Sequence, residues 1–386
     1  MQAVIMAGGK GTRLFPLTNR LPKPMVDFLN RPTLEHLVKN LAAARPKQVL
    51  LTLGYRHELV SRHFGNGEDF GVDISYSVEA QPLGTAGGVK ALEPVLRDTF
   101  LVLSGDAVCD LDFREPLRFH RANRADVTLV LTRVDNPLEF GIVVTDDDDR
   151  ITRFLEKPAT WAEVFTDVVN TGIYVIEPHV LQRIPAASFY DFSKDLFPRL
   201  LNDGARIYGM LTDAYWCDVG NLVQYRQAHL DGLLGRIRIS IPHSRQPAPG
   251  IYLGEGARVS RTARLHPPVL IGPRVHIGAG CSIGPFVVVG DEVRVQEQVA
   301  VAESVILRGS HIGRNCSLFG CVIAENTTIR PDTYWQHVAA DQQHLTRVAR
   351  RKEAPIPPGF PAGREWRRER VAQADPLSST APLPGG

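Results

Sequence analysis

At 386 residues the chain exceeds what one hydrophobic core usually organises, so two or three domains are expected. Hydrophobic residues at 44% and charged residues at 22% are ordinary for a globular protein, which excludes wholesale disorder and residence of the whole chain in a membrane. A net charge of +2 supplies no global positive field for nucleic acid, so a phosphate ligand has to be met by local cations and backbone amides.

Residues 3–6 open the chain as a buried strand. No basic region precedes this short apolar run, as a secretory leader requires, and no stretch approaches the ~20 apolar residues of a membrane span. Further strands are expected at 48–53, 73–77, 100–103 and 127–132, and residues 32–44 place Leu34, Leu37, Val38 and Leu41 at helical spacing. This alternation, continuing to about residue 235, predicts an α/β domain with a Rossmann-like, mostly parallel sheet. Cys109, Cys217, Cys281, Cys316 and Cys321 are odd in number and lack a C-x-x-C pair, which argues against a disulfide framework or a zinc site and for the cytoplasm.

Directly after the first strand stands Ala7-Gly8-Gly9-Lys10-Gly11-Thr12-Arg13-Leu14. Glycines let successive backbone N–H groups approach phosphate oxygens, which makes this loop a candidate phosphate cradle. The P-loop pattern is absent, and Leu14 occupies the place of the last glycine of a dinucleotide fingerprint. A tight turn would account for the glycines equally well. The added cations Arg13 and Lys23 favour a triphosphate, whose departing pyrophosphate needs positive charge.

Gln81-Pro82-Leu83-Gly84-Thr85-Ala86-Gly87 forms a second glycine-containing loop. The Gln81 amide can read a base edge, while Thr85 can simply cap a helix start, and the two readings are compatible. Asp106 follows the strand at 100–103, at the end where α/β sheets bind ligands, and Asp218 lies far along in Tyr215-Trp216-Cys217-Asp218. Two such carboxylates suit magnesium, although a lone Asp in a turn is more often a cap, and Asp110 and Asp112 compete nearby. The acidic run 146–149 reads as a solvated hairpin turn. Lys157 can neutralise an acceptor phosphate, and Glu156 and Asn170 can bond sugar hydroxyls, although an adjacent Glu-Lys pair is ordinarily a surface feature.

Residues 236–250, with Pro242, Pro247 and Pro249, read as a linker. From Leu253 to Val301 an apolar residue recurs every six positions without a slip, each followed four residues later by a small or β-branched one. An antiparallel domain would mimic part of this alternation but not nine successive hexads. Residues 251–335 are therefore expected to form a β-helix whose stacked coils bury each other's inward side chains, with glycines 272, 278, 284 and 290 at its corners. The pattern loosens through Ile312, Leu318 and Ile329. Residues 336–386 turn polar and Pro-rich, with a charged run at 364–370, and are expected to be partly disordered.

The string GGKGTRLFPLTNRLPKP closely resembles the signature of the sugar nucleotidyltransferases, or nucleotide-sugar pyrophosphorylases. The resemblance implies that Ala7, Gly8, Gly9, Gly11 and Thr12 wrap the triphosphate, and that Arg13, Lys23 and Asp106 serve catalysis. It places Gln81, Gly84 and Thr85 at base and ribose, Asp106 and Asp218 on Mg2+, and Gly141, Glu156, Lys157 and Asn170 at the sugar phosphate. The form Leu83-Gly84-Thr85-Ala86-Gly87 looks more like mannose 1-phosphate guanylyltransferases than thymidylyltransferases. Segments 136–141 and 190–198 are similar to the guanylyltransferase part of bacterial guanylyltransferase/phosphomannomutase fusions. The likeness runs from residue 1 to about 335, and no phosphoserine-type mutase motif is visible, so mutase activity is not carried over.

The resemblance thus implies a left-handed parallel β-helix after the α/β domain, and synthesis of GDP-mannose from GTP and mannose 1-phosphate. A homo-oligomer is expected, with neither nucleic acid nor membrane as partner. Base and sugar rest on the resemblance, and a glucose 1-phosphate nucleotidyltransferase using another NTP is the nearest alternative. A regulatory paralogue that senses nucleotide sugar should have lost Arg13, Lys23 or a metal carboxylate, and none is lost. An acyltransferase built on the β-helix would need a base from His266, His276 or His311, each more simply a surface residue of a coil corner.

Overall fold

The structure, a computed structural model, describes residues 1–348, so most of the expected tail, including its charged run, lies outside the described residues. The chain divides into two compact units. The first comprises residues 1–12, 20–26 and 31–219, and the second, among the described residues, 13–19, 27–30 and 220–348.

The first unit is built on β1 (Gln2–Met6), α1 (Thr33–Ala42), β2 (Gln48–Leu53), α2 (His57–Phe64), β3 (Ile74–Val78), α3 (Gly84–Lys90) and β4 (Phe100–Ser104). It continues through β5 (Ala107–Cys109), α4 (Arg114–Ala122), β6 (Val127–Arg133), β7 (Gly141–Thr145), β8 (Ile151–Glu156), β9 (Val168–Ile176), α5 (Phe197–Asn202), β10 (Ile207–Leu211) and β11 (Trp216–Asp218). Nine strands make one sheet, ordered β8-β7-β9-β4-β1-β2-β3, with β6 pairing to β9 and β10 pairing to β6. The half that carries the glycine-rich loop is parallel, with Val4 level with Leu50 and Val102, whereas β9 runs antiparallel to β4, β6 and β7.

Strands covered on both faces are apolar almost throughout, because alternate side chains enter separate cores. Ile5, Leu51 and Leu103 meet Leu34, Leu37, Val38 and Leu41 of α1 on one face. Val4, Leu50 and Val102 meet Phe192, Phe197 and Ile176 on the other. This packing brings the C-terminal ends of β1, β2 and β4 to one edge, where loops are free to carry chemistry.

In the second unit, α6 (Leu222–Leu233) begins where the Asn221 side chain accepts from the backbone N–H groups of Val223 and Gln224. Short parallel strands then stack in three ladders, as the hexads predict. Ile271, Val289, Ile306 and Ile323 form one buried column. Ile271 pairs with Val289 eighteen residues on, but Val289 pairs with Ile306 only seventeen on. One corner has lost a residue, which is the physical reason the hexad pattern loosens after Val301.

Two boundaries differ from expectation. Arg245–Ala248, inside the expected linker, pairs antiparallel with Ile251–Leu253, and Val338–Ala340, inside the expected tail, extends the same ladder and pairs with Leu345–Arg347. Both additions cover the ladder's ends, whose backbone groups would otherwise lack partners.

The corner glycines also act differently from expectation, since only Gly284 among the four has a positive φ. A Cβ on Gly272 would lie 2.8 Å from the carbonyl carbon of Gly290, and one on Gly290 would lie 2.5 Å from the Arg308 nitrogen. Glycine is required there by close coil stacking, while left-handed corners fall to residues such as Arg274, Glu292, Asn315 and Asn326. No helix among the described residues is long and apolar enough to cross a membrane.

Candidate active site

The glycine-rich loop leaves the C-terminal end of β1 between two close backbone neighbours. Ala7 N–H donates to the Thr52 carbonyl at 2.9 Å, and Gly105 N–H donates to the Met6 carbonyl at 2.9 Å. A Cβ on Gly54 would lie 3.0 Å from the Gly8 carbonyl oxygen, and one on Gly105 would lie 2.9 Å from that of Met6. Nothing stands within 4 Å of where a Gly9 Cβ would be, so the loop's tip is open to a ligand. Gly11 takes φ +67, and Thr12 and Arg13 are exposed in the 3-10 turn Thr12–Leu14.

Gly105 holds the next residue, Asp106, beside this loop. Lys23 Nζ lies 2.5 Å from Asp106 Oδ2 and 3.3 Å from Asp218 Oδ1. The carboxylates are brought together by β5 and β11, which pair antiparallel with Asp218 opposite Ala107. Ser104 donates its hydroxyl to the remaining Asp106 oxygen at 2.6 Å. Burial works against charge in this cluster. The attraction between Lys23 and Asp106 overcomes it, raising the ammonium's pKa and holding the Asp106 carboxyl below its usual range. The competing carboxylates are occupied structurally: Asp110 accepts from Tyr215 N–H at 2.9 Å, and Asp112 pairs with Arg114.

The expected sugar-phosphate residues lie along the antiparallel half of the sheet. Gly141 stands opposite Glu156, and a Cβ there would lie 2.6 Å from Glu156 Oε2 and 2.8 Å from Phe154 Cζ. Burial raises the Glu156 pKa, with Lys157 opposing and Asp191 adding to the rise. Lys157 is exposed and has a left-handed backbone at φ 48, a strained conformation for a non-glycine residue at the end of β8.

Asn170 is buried. Its Nδ2 donates to Tyr174 Oη at 2.9 Å and Ser193 Oγ at 3.3 Å, and its Oδ1 accepts from Gly172 N–H at 3.0 Å. Gly172 abuts Ser104, and Trp216 donates to the Thr171 carbonyl at 3.0 Å while packing edge-on to Phe140. Ser104, Asp106, Lys23 and Asp218 thus form one hydrogen-bonded chain, while Asn170 and Trp216 bond to the neighbouring backbone at Gly172 and Thr171.

The segment after β3 brings Gln81 to the surface and Gly84 to φ +75, where a Cβ would lie 2.6 Å from the Tyr190 carbonyl oxygen. Thr85 does not cap the helix. Leu83 is the N-cap residue, and the Thr85 hydroxyl donates to Asp191 Oδ2 at 2.8 Å and accepts from Phe192 N–H at 2.9 Å. Sequence reasoning did not single out Ser104, Ser193 or Trp216. Ser104 and Trp216 stand in motifs that were read for their aspartates, and Ser193 lies in segment 190–198, so proximity to those motifs was the available signal.

The donor set fits magnesium. Asp106 and Asp218 each turn a carboxylate oxygen toward the Lys23 ammonium, and magnesium takes one or two carboxylates of this kind completed by phosphate oxygens and water. The histidines weighed for acyl transfer sit on the repeats, with His266 bonded to Ser282 and His311 to Gln296, each at 3.0 Å.

A glycine-rich loop and a lysine–carboxylate cluster stand together at the C-terminal edge of an α/β sheet, the edge at which such sheets bind ligands. The chain belongs to the nucleotidyl transferase family, whose model matches residues 2–233, and residues 249–343 match the family described as GMPPB C-terminal domain. It is 39% identical over 279 residues to mannose-1-phosphate guanylyltransferase of Mycobacterium tuberculosis, covering 69% of this chain and 77% of that one. It is 38% identical over 270 residues to UTP–glucose-1-phosphate uridylyltransferase of Synechocystis, covering 66% and 69%. The crystal structure of HddC from Yersinia pseudotuberculosis complexed with GMP-PN is similar at a TM-score of 0.51 and 26% identity, over 59% of this chain and 97% of that one.

Proposed function

We propose that the protein transfers the guanylyl group of GTP to mannose 1-phosphate, forming GDP-mannose and releasing pyrophosphate. The observation that carries this reading is the convergence of Lys23, Asp106 and Asp218 beside the glycine-rich loop. Similarity to the Mycobacterium tuberculosis guanylyltransferase supports the choice of base and sugar.

In this reading the loop residues Ala7, Gly8, Gly9, Gly11 and Thr12 embrace the triphosphate, and Gln81, Gly84 and Thr85 face base and ribose. Lys157 holds the acceptor phosphate, while Gly141, Glu156 and Asn170 shape the sugar subsite. A phosphate oxygen of the sugar, already ionised, attacks the α-phosphorus in line. One O–Pα bond forms, and the bond from Pα to the bridging oxygen of the pyrophosphate breaks. No general base is needed. Arg13 and Lys23 stabilise the negative charge that gathers on the leaving group. Magnesium bound by Asp106 and Asp218 would supply further neutralisation of phosphate charge. The reading includes a cytoplasmic setting and a homo-oligomer, since an exposed prism side is a common self-association surface.

A second reading, uridylyl transfer to glucose 1-phosphate, is favoured by the similarity to the Synechocystis enzyme. A panel of nucleoside triphosphates against sugar 1-phosphates, followed by pyrophosphate release, separates the two. GTP with mannose 1-phosphate should give the highest kcat/KM. Preference for UTP with glucose 1-phosphate would replace the first reading by the second, and absence of turnover with every pair would overturn both.

A further inference from the structure

Two short strips of chain lie next to the candidate pyrophosphate-binding cations. Residues 13–19 begin with Arg13, and residues 27–30 begin four positions after Lys23. Both strips belong to the second unit, where each is held by a carboxylate contact across an unusually long stretch of sequence.

Asp27, Leu29 and Asn30 of the strip 27–30 are fastened by polar bonds. Arg308 places Nη2 2.9 and 2.7 Å from the two Asp27 oxygens and Nε 3.1 Å from the second. Tyr225 Oη donates to the Asp27 carbonyl at 2.5 Å, Leu29 N–H donates to His229 Nδ1 at 3.4 Å, and Asn30 Nδ2 donates to the Val289 carbonyl at 2.9 Å. Leu29 and Asn30 both have left-handed backbones, at φ 47 and 63, a conformation that Asn30 tolerates and that is imposed on Leu29. The Asp27 side chain is only 3% exposed. Arg308 is half-exposed, so the pair is buried on its carboxylate side alone, and the best-attested use of such a pair is to fix one arrangement of the chain. Arg308 also reaches Glu325 at 3.2 Å. Burial raises the Glu325 carboxyl to about 7, with Asp27 adding and Arg308 opposing.

The strip 13–19 is held at its far end. Asn19 Nδ2 donates to Asp341 Oδ2 at 3.0 Å, and the Phe15 ring packs edge-on to the His344 ring at 4.8 Å. Asp341 is itself set by the backbone N–H groups of Gln343 and His344, at 2.8 and 2.7 Å. These contacts lie in the turn between Val338–Ala340 and Leu345–Arg347, the closing hairpin of the repeats.

We infer that Arg308 and Asp341 are positioning residues for pyrophosphate handling: they fix the strips at 27–30 and 13–19 and thereby the placement of Lys23 and Arg13. This rests on the roles of Arg13 and Lys23 under the function proposed above.

The test uses the full chain in the reverse direction, with pyrophosphate and the nucleotide sugar that the unmodified protein makes. Arg308→Gln and Asp341→Asn should each raise KM for pyrophosphate about tenfold or more, with KM for the nucleotide sugar within twofold of the unmodified value. Asp27→Asn should raise KM for pyrophosphate as Arg308→Gln does, and the double variant should be no worse than Arg308→Gln, because the Asp27–Arg308 pair is already lost in each. Arg308→Lys keeps the charge without the planar donor geometry and should fall between, and it replaces Arg308→Gln as the readout if that variant does not fold. Arg274, which pairs with Glu292 at 2.7 Å on the exposed face of the same repeats, supplies the control, and Arg274→Gln should change neither KM.

A merely structural role would lower the active fraction and leave both KM values alone. Unchanged pyrophosphate KM in folded, active Arg308 and Asp341 variants would therefore overturn the inference. An unmodified protein that turns over no substrate pair would instead overturn the function it rests on.

Discussion

Lys23 Nζ and Asp106 Oδ2 stand 2.5 Å apart although 83 residues separate them in the chain, and Asp218 joins the same ammonium from a further strand. The buried lysine thus neutralises two carboxylates that would otherwise repel each other across the pairing of β5 and β11.

Replacement of Lys23 by alanine leaves those carboxylates facing each other without a cation. Stability should fall by about 3–5 kcal/mol, the range for breaking a buried pair. Turnover should fall roughly 100- to 1,000-fold, as on loss of one charge-stabilising donor. Added magnesium should raise the melting temperature of Lys23→Ala more than that of the unmodified protein. Equal shifts would show that the two carboxylates do not share a cation.

Asp218→Asn removes one carboxylate while Asp106 retains its bond from Ser104. The magnesium concentration giving half-maximal turnover should rise at least about tenfold, in the range seen when a metal's surroundings are altered. A titration that superimposes on that of the unmodified protein would remove Asp218 from the metal site.

At Gly141 an alanine Cβ would press on Glu156 Oε2 at 2.6 Å and on the Phe154 ring at 2.8 Å. Gly141→Ala should displace Glu156, raise KM for the sugar 1-phosphate several-fold and leave KM for the nucleotide near its starting value. The overpacking itself should cost about 1–3 kcal/mol. Steady-state kinetics with each substrate varied in turn reads the split.

Two glutamates should give opposite pH dependences of stability. Burial of Glu35 is outweighed by its bonds from His63 and Lys39, which bring its carboxyl from the ordinary 4.5 to about 2. Its stabilisation is present above pH 4.5 and lost as pH falls toward 2. It should amount to about 2 kcal/mol after allowance for the partly exposed Lys39 and His63. Glu325, raised from 4.5 to about 7, binds its proton more tightly when folded, so its contribution is full below pH 4.5 and declines as pH rises to 7. Denaturant unfolding from pH 3 to 8 should show Glu35→Gln flattening the acid limb and Glu325→Gln gaining on the unmodified protein above pH 7. Parallel curves for either variant would contradict its assigned shift.

The site was legible in the sequence where its chemistry is carried by a contiguous string. The loop at 7–13, the carboxylates Asp106 and Asp218, and Glu156 with Lys157 could each be singled out from neighbouring residues. Partnership was not legible. For Thr85 the sequence allows both a helix cap and a base or ribose contact, since a hydroxyl near a helix start can serve any acceptor in reach, and folding brings Asp191 there. Asn170 was read as a sugar contact, and the structure shows its amide bonded to Tyr174, Ser193 and Gly172.

By itself the sequence determined the repeating coils, because an inward position every six residues is a local periodicity that stacking copies from coil to coil. It also determined the buried strands of the sheet and the amphipathic face of α1, which follow from the spacing of apolar residues. Only the tertiary structure decided that Lys23 lies between two distant aspartates, that one corner of the prism shortens after Val301, and that Arg308 and Asp341 grasp the strips at 27–30 and 13–19. Each of these depends on residues tens to hundreds of positions apart meeting after the cores have packed. No local spacing encodes such a meeting, since the free energy that selects it belongs to the whole fold.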